Sequence, residues 1–507
     1  MKKVLTINIP FTVPWALPYG PAVVNGVLKH AGYNATIWDM SIDFRHAFKH
    51  NTEFKNFVQA TTIGGYAFKQ ISRNFAKKML SWMQYSIRQQ IQTVNPDIIL
   101  LSVFSSQSLD LVVPIATILR EESPDSYILI GGRGLDNVER QSKLNYAEYF
   151  VKYLPINATY LGDAENSLLE AISTQYQGCF TANPVSGAEL MTVPSASWVG
   201  LNFEDYDGYD NKNLRIPITA SKGCVRQCTF CDVAGSWPKY VFKSGADVGQ
   251  EIVDIYHNTG INKIEFTDNL VNGSISNFRE MNTVIADQLP NVIDYIGYAI
   301  CRPKKEFPES DFELAQIAGA SMFKVGIESG SERIRNDMKK KFTNDDIDWF
   351  ATNCAKYNIK QTWLMFAGYP TETEADFQET LQLLDEYKTL GKQGKIVVFL
   401  SLPMMLTTNS GFMRNYADEY GLEHNHEDSW SDFFWTSTKF KDNTWEVRVN
   451  RWKRFMNKIE ECGYSHPSMR QTEKFIELEG LEKSYESYKN AKTNKKIIPI
   501  FNNNFEL

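Results

Sequence analysis

Three cysteines fall inside eight consecutive positions of the stretch SKGCVRQCTFCD, residues 221–232, in a chain of 507 residues that contains only seven. Cys224, Cys228 and Cys231 stand four and three residues apart, so thiolates on one loop could wrap a corner of a compact metal centre. Zinc and an iron–sulfur cluster are the two metal readings, and chance clustering is the third. A structural zinc site takes four ligands, commonly in pairs two to four residues apart, and the nearest histidine in sequence is His257. In an iron–sulfur cube, a missing fourth protein ligand leaves one iron free to bind substrate. The other cysteines, Cys179, Cys301, Cys354 and Cys462, are scattered. An odd total argues against a disulfide framework.

The triplet follows an apolar run at residues 214–218, where a strand would hand over to a loop. Strand-like stretches at 214–220, 263–267, 293–300, 322–326, 361–366 and 396–402 alternate with helical patterns such as DVGQEIVDIYHN and TEADFQETLQLLDEY. That alternation predicts parallel strands joined by helices, a βα barrel or part of one. Pro217, inside the first of these strands, suits a sheet edge and favours an open barrel. Active sites of such sheets lie at the carboxyl ends of the strands.

Residues 1–195 alternate in the same way. Strands are predicted at 4–9, 35–38, 97–103, 127–130 and 158–161, helices at 21–30 and 109–121, and a helical, aromatic-rich segment from 42 to about 93. This is the pattern of a doubly wound parallel sheet. Prolines, glycines and the acidic run from Glu204 to Asp207 mark a linker, placed at residues 196–213. The barrel then occupies 214–408, and residues 409–507 read as mainly helical. There Trp430, Trp435, Trp445 and Trp452 suggest a local core, and the tail TNKKIIPIFNNNFEL a loosely held end.

A hydrophobic content of 43% and a charged content of 22% are those of a soluble globular protein. The net charge of −7 provides no general attraction for nucleic acid or anionic membrane. The longest apolar runs, such as 396–406, fall well short of the ~20 residues that span a bilayer. Asn8, Pro10, Pro14 and Pro18 interrupt the apolar N-terminus, which therefore reads as a strand and a loop rather than a signal peptide. A cytoplasmic protein with no clear nucleic-acid module is expected.

The spacing C-x-x-x-C-x-x-C, with Phe230 before the last cysteine and the end of the first barrel strand just before it, resembles the radical S-adenosylmethionine superfamily. The resemblance implies that the three cysteines hold a 4Fe–4S cluster whose fourth iron chelates S-adenosylmethionine, and that an electron donor such as a flavodoxin or ferredoxin reduces it. Asp268 in Thr267-Asp268-Asn269, Arg302, Glu328 and Ser329 in GIESGSERI, and Gly368 in FAGYPTET match positions at successive strand ends of that family. With Phe230 they are the residues expected to face the cofactor. LPMMLTTNS resembles the sixth strand end.

The N-terminal half resembles the Rossmann-like cobalamin-binding domain of one branch of this superfamily. Matching stretches are PYGPAVVNGVLKHAGYNATIWD, NPDIILLSVFSS with Ser105 and Ser106, YILIGGRG with Gly131 and Gly132, and YLGDAENSLLEAI with Gly162 and Glu165. The histidine motif D-x-H-x-x-G is absent, so the resemblance implies cobalamin bound without a histidine beneath the cobalt. Radical methylthiotransferases carry a second cluster on three N-terminal cysteines, whereas residues 1–213 contain only Cys179. The reading is thus a cobalamin-dependent radical enzyme methylating an unactivated carbon. A radical cyclase or rearrangement enzyme and a non-catalytic iron–sulfur protein are the alternatives, and the substrate is not legible.

Overall fold

The computed structural model describes residues 1–10, 12–13, 15–55, 72–105, 108–136, 145–407, 409–423, 431–465, 478–483 and 485. They form two compact units, Met1–Arg215 and a second beginning at Ile216.

The first unit runs β1 (Lys3–Asn8), α1 (Tyr19–His30), β2 (Asn34–Asp39), α2 (Met40–Phe48), α3 (Arg73–Val94), β3 (Ile98–Ser102), α4 (Leu109–Glu122), β4 (Tyr127–Gly131), α5 (Tyr146–Tyr153), β5 (Ala158–Leu161), α6 (Ala164–Ser173) and β6 (Gly178–Thr181). All six strands are parallel, in the order β2-β1-β3-β4-β5-β6. Both faces are covered, because alternate residues of one strand serve two cores. Leu5, Ile7, Ile99 and Leu101 pack with Phe44, Phe75 and Ile115, while Val4, Ile98 and Leu100 pack with Leu28, Leu168 and Ile172. Such strands read as continuous apolar runs, which is why they were legible. The edge strand β6, GCFT, was not: it has no apolar run and sits half-exposed. The strand order reverses between β1 and β3, and the crevice beyond a reversal is where ligands of doubly wound sheets bind.

The stretch read as a linker is packed onto this unit. Ile37 on the edge strand β2 donates its N–H to Val199 O at 2.9 Å, satisfying an edge that would otherwise lack a partner. Asn25 of α1 donates to Ser197 O at 3.1 Å. Tyr206 OH donates to Asp39 Oδ2 at 2.6 Å, and Asn8 Nδ2 to Asp39 Oδ1 at 2.8 Å. Burial raises the pKa of Asp39, and these donors oppose the shift.

The second unit contains β7 (Ile216–Ile218), α7 (Gly245–Thr259), β8 (Lys263–Phe266), α8 (Ile275–Gln288), β9 (Asp294–Ala299), α9 (Glu309–Ala318), β10 (Ala320–Glu328), α10 (Asn344–Lys356), β11 (Lys360–Met365), α11 (Glu374–Lys392), β12 (Ile396–Leu400) and α12 (Trp445–Cys462). Its six parallel strands follow chain order from β7 to β12 without closing. Pro217 lies on the edge strand β7, as expected. Thr343 with Asp346 and Thr373 with Asp376 form capping boxes that start α10 and α11, each worth about 1 kcal/mol. Trp435, Trp445 and Trp452 are buried; Trp430 and the C-terminal tail lie outside the described residues. Among the described residues, no helix is long and apolar enough to cross a membrane.

Replacing Tyr206 with phenylalanine removes a donor from a buried carboxylate, so the chain is expected to lose about 1–3 kcal/mol of stability. Urea unfolding of the full chain, followed by the fluorescence of the first unit, checks this.

Candidate functional site

The cysteine loop leaves the carboxyl end of β7 and is closed by a two-residue ribbon in which Ser221-Lys222 pairs antiparallel with Val241-Phe242. Cys224, Cys228 and Cys231 are free thiols, each partly exposed. Arg226 N donates to Cys224 Sγ at 3.4 Å and Val233 N to Cys231 Sγ at 3.5 Å. Cys231 N closes a turn onto Cys228 O at 3.2 Å. Burial raises the Cys228 thiol while the Lys340 cation opposes it. Burial likewise pushes Cys231 up to about 12, against the pull of the Val233 N–H. Cys224 adds to the rise at Cys228, and Cys228 and Cys224 to the rise at Cys231, and among the described residues no group of three His, Cys, Asp or Glu side chains is placed to hold one metal ion. A polynuclear cluster, whose irons take one thiolate each, needs no fourth protein donor, whereas structural tetrahedral zinc takes four.

Beside the loop stands a buried ion pair. Lys340 Nζ lies 2.8 Å from Glu328 Oε1, with only 8% and 12% of the two side chains exposed, and 5.7 Å above the Phe230 ring. Phe230 meets Phe366 edge-on, with ring centroids 5.3 Å apart. Glu328 holds a φ of +66° at an irregularity in the pairing of β10 with β11. A non-glycine residue in that region stores strain, a feature that clusters at functional sites. The Glu328 and Cys228 charges raise the Lys340 pKa against burial, the largest single influence. Sequence reasoning singled out Glu328 and missed Lys340. The run Lys339-Lys340-Lys341 looks like an exposed charge cluster, and only the fold shows that its middle member is buried.

The other expected residues divide. Asp268 is fully buried, accepting from Ser221 Oγ at 2.5 Å and Ala220 N at 2.9 Å; burial lifts its pKa to about 7. Its carboxylate thus anchors the start of the cysteine loop. Arg302 donates to Asn272 O at 2.9 Å and Gly273 O at 2.7 Å, with its pKa lowered by burial and by nearby Arg226. Ser329 is buried and bonded to Thr380 of α11 at 3.1 Å, so it ties β10 to a helix instead of facing the loop. Gly368 has a φ of +97°, and a Cβ there would lie 2.5 Å from Arg448 Cδ. The glycine makes room for an arginine of α12, a reason invisible in FAGYPTET itself.

In the first unit, Gly131, Gly132 and Gly162 sit at the carboxyl ends of β4 and β5, as expected. Gly132 has a φ of +111°, and a Cβ would lie 2.6 Å from Val103 O, so it lets the loop after β4 lie against the loop after β3. Ser105 shares a hydrogen bond with Ser108 at 3.2 Å, and Glu165 lies in the first turn of α6. Ser106 lies outside the described residues.

Residues 218–384 match the family model described as the radical SAM superfamily. Curated relatives include the tRNA-2-methylthio-N(6)-dimethylallyladenosine synthase of Saccharophagus degradans, 26% identical over 221 residues, covering 39% of this chain and 47% of that protein. The same enzyme of Buchnera aphidicola is 26% identical over 178 residues, covering 33% and 40%. The chain spans about half the length of the curated relatives it matches. Among solved structures, the radical S-adenosylmethionine methyltransferase TsrM from Kitasatospora setae, with cobalamin and a 4Fe–4S cluster bound, is 15% identical with a TM-score of 0.60, covering 93% of this chain and 92% of that one. The cobalamin-dependent S-adenosylmethionine radical enzyme OxsB is 16% identical with a TM-score of 0.60, covering 96% and 71%. The resemblance read from the sequence therefore holds: residues 218–384 match the radical SAM model, and the fold is the one seen in TsrM and OxsB.

Two outcomes follow from the site's electrostatics. Lys340→Met strands the Glu328 carboxylate in a buried setting and is expected to cost about 3–5 kcal/mol, read as a urea midpoint. Asp268 has a folded-state pKa of about 7 against an ordinary 3.8, so the folded chain keeps a proton that the unfolded chain loses. Its contribution to stability is full below about 4 and is lost as pH rises to about 7. Asp268→Asn should flatten that part of the stability profile, measured by unfolding at a series of pH values.

Proposed function

We propose that the chain is a cobalamin-dependent radical S-adenosylmethionine enzyme that methylates an unactivated carbon. One observation carries the reading: three free cysteines on a single loop at the carboxyl end of the edge strand of an open six-stranded parallel sheet. Cys224, Cys228 and Cys231 would hold the 4Fe–4S cluster, with the Arg226 and Val233 N–H groups stabilising the charge on two of the sulfurs. The chemistry such groups supply when bound is reductive cleavage of S-adenosylmethionine by the cluster and methyl delivery from cobalamin.

The chain's own residues orient and enclose. Phe230 offers a ring face to the adenine. Arg302, held by the Asn272 and Gly273 carbonyls, and nearby Arg226 would add positive charge where a carboxylate binds, and the Glu328–Lys340 pair sets the charge beside Cys228. Gly131, Gly132 and Gly162 mark the carboxyl edge of the first unit's sheet, where cobalamin would lie. The description of TsrM as a methyltransferase supports methylation. The curated relatives point instead to methylthiolation of tRNA, but the first unit offers one cysteine, Cys179, where a second cluster would need three. A flavodoxin or ferredoxin is the proposed electron donor.

Anaerobically purified protein is expected to carry about four irons per chain. Alanine at Cys224, Cys228 or Cys231 should abolish the cluster, and Cys179→Ala should retain it. Stoichiometric zinc in place of iron would overturn the reading. Product mass then decides the reaction: a gain of one CH₂ unit supports methylation, and an unchanged carbon count points to cyclisation or rearrangement.

A further inference from the structure

The cysteine loop has almost no regular structure of its own, so something outside it must hold its shape. Thr229, between Cys228 and Phe230, is 1% exposed. Its N–H donates to Met338 O at 3.2 Å, and its hydroxyl shares a hydrogen bond with Tyr369 OH at 2.9 Å. Tyr369 OH is also 3.4 Å from Tyr420 OH, which donates to Asp337 Oδ1 at 2.7 Å. One phenol therefore links the cysteine loop to a buried polar network.

The segment bearing Tyr369 is clamped in turn by residues beyond the barrel. Asn443 donates to Tyr369 O at 2.6 Å. Arg448 of α12 donates to Asn443 O at 2.6 Å, lies 3.8 Å over the Trp435 ring and fills the space beside Gly368. Arg451 donates to Glu372 O at 3.0 Å and Oε2 at 3.2 Å, while Gly368 N donates to that same Oε2 at 2.9 Å. Separately, Gly411 N donates to Cys231 O at 3.0 Å. Two residues of the loop are thus gripped by groups that answer to the segment from 409 to 462.

We propose that α12 and the loop 366–373 form a brace that positions the cluster cysteines, with Tyr369 as the positioning residue at its tip and Arg451 at its root. The cluster role of the cysteines rests on the function proposed above, but the mechanical link does not. Buried hydrogen bonds are strong in a low-dielectric interior and hold the groups they join; in this network Asn443 Oδ1, Arg448 Nε and Arg451 Nε have no hydrogen-bond partner, while the bonds named above are made. Partners one layer behind a ligand orient it and tune the centre it holds. The region outside the barrel thereby acquires a role in the site without touching a cofactor.

Hydrogen–deuterium exchange on the full-length, cluster-free chain tests the link. A hydrogen bond of ordinary net strength corresponds to about a fivefold change in a local opening equilibrium. Tyr369→Phe should speed exchange in a peptide spanning 224–231 about fivefold and leave a peptide spanning β8 unchanged. Arg451→Met should act at the same peptide, Arg451→Lys should restore slow exchange, and Arg454→Met, at a half-buried arginine of the same helix that pairs with Glu374, should change nothing. After reconstitution with iron and sulfide, the Tyr369→Phe chain should lose iron to EDTA faster than wild type, with an altered electron paramagnetic resonance signature of the reduced centre.

Equal exchange at 224–231 in wild type and Tyr369→Phe would overturn the brace, as would acceleration spread evenly over the chain. Should Arg451→Met fail to fold, Tyr369→Phe decides alone. A wild-type chain that takes up no iron would overturn the cluster reading, while the exchange comparison still decides the brace.

Discussion

A short loop carrying three thiols cannot hold them in place by itself, and much of the second unit answers that constraint. The loop from Gly223 to Tyr240 has one brief helix, Val233–Ser236, and two ends tied by a two-residue ribbon. Backbone N–H groups of Arg226 and Val233 reach the sulfurs only if the turns between the cysteines are kept. Those turns are kept by what surrounds them. Asp268 holds the entry strand, Met338 and Tyr369 hold Thr229, and Gly411 holds Cys231. A parallel sheet makes this possible because every strand delivers its following loop to the same edge.

Charge is handled at that edge by pairing. Three thiols, a glutamate and a lysine crowd the end of β10, where burial disfavours every ionised form. Lys340 pairs with Glu328 and also opposes the rise that burial causes in the Cys228 thiol. The strained backbone of Glu328 brings its carboxylate back to the lysine. Such a pair costs desolvation that its own attraction barely offsets, so its presence adds little net stability although removing one partner would cost much more.

The first unit likewise relies on close backbone approach and on pairing of a buried carboxylate. Glycines at the ends of β4 and β5 let neighbouring loops touch. Asp39, at the end of β2, is satisfied by Asn8, Tyr206 and two backbone N–H groups. The strap from Ser197 to Tyr206 seals the free edge of β2 and makes the unit larger than its sheet.

The sequence by itself determined the two alternating βα series, the edge position of Pro217 and the loop of Cys224, Cys228 and Cys231. These depend on local periodicity and on spacing along the chain. It did not disclose the partner of Glu328, the cause of Gly368, the buried state of Ser329 or the packing of residues 196–213. Each of these depends on contacts between distant segments: Lys340 with β10, Arg448 with the loop after β11, Thr380 with Ser329, and Val199 with β2. No window of sequence encodes such meetings. Whether a lysine in a run of three is solvated or buried, and whether a glycine serves a ligand or a neighbouring arginine, is decided only when the tertiary fold brings the second residue into place.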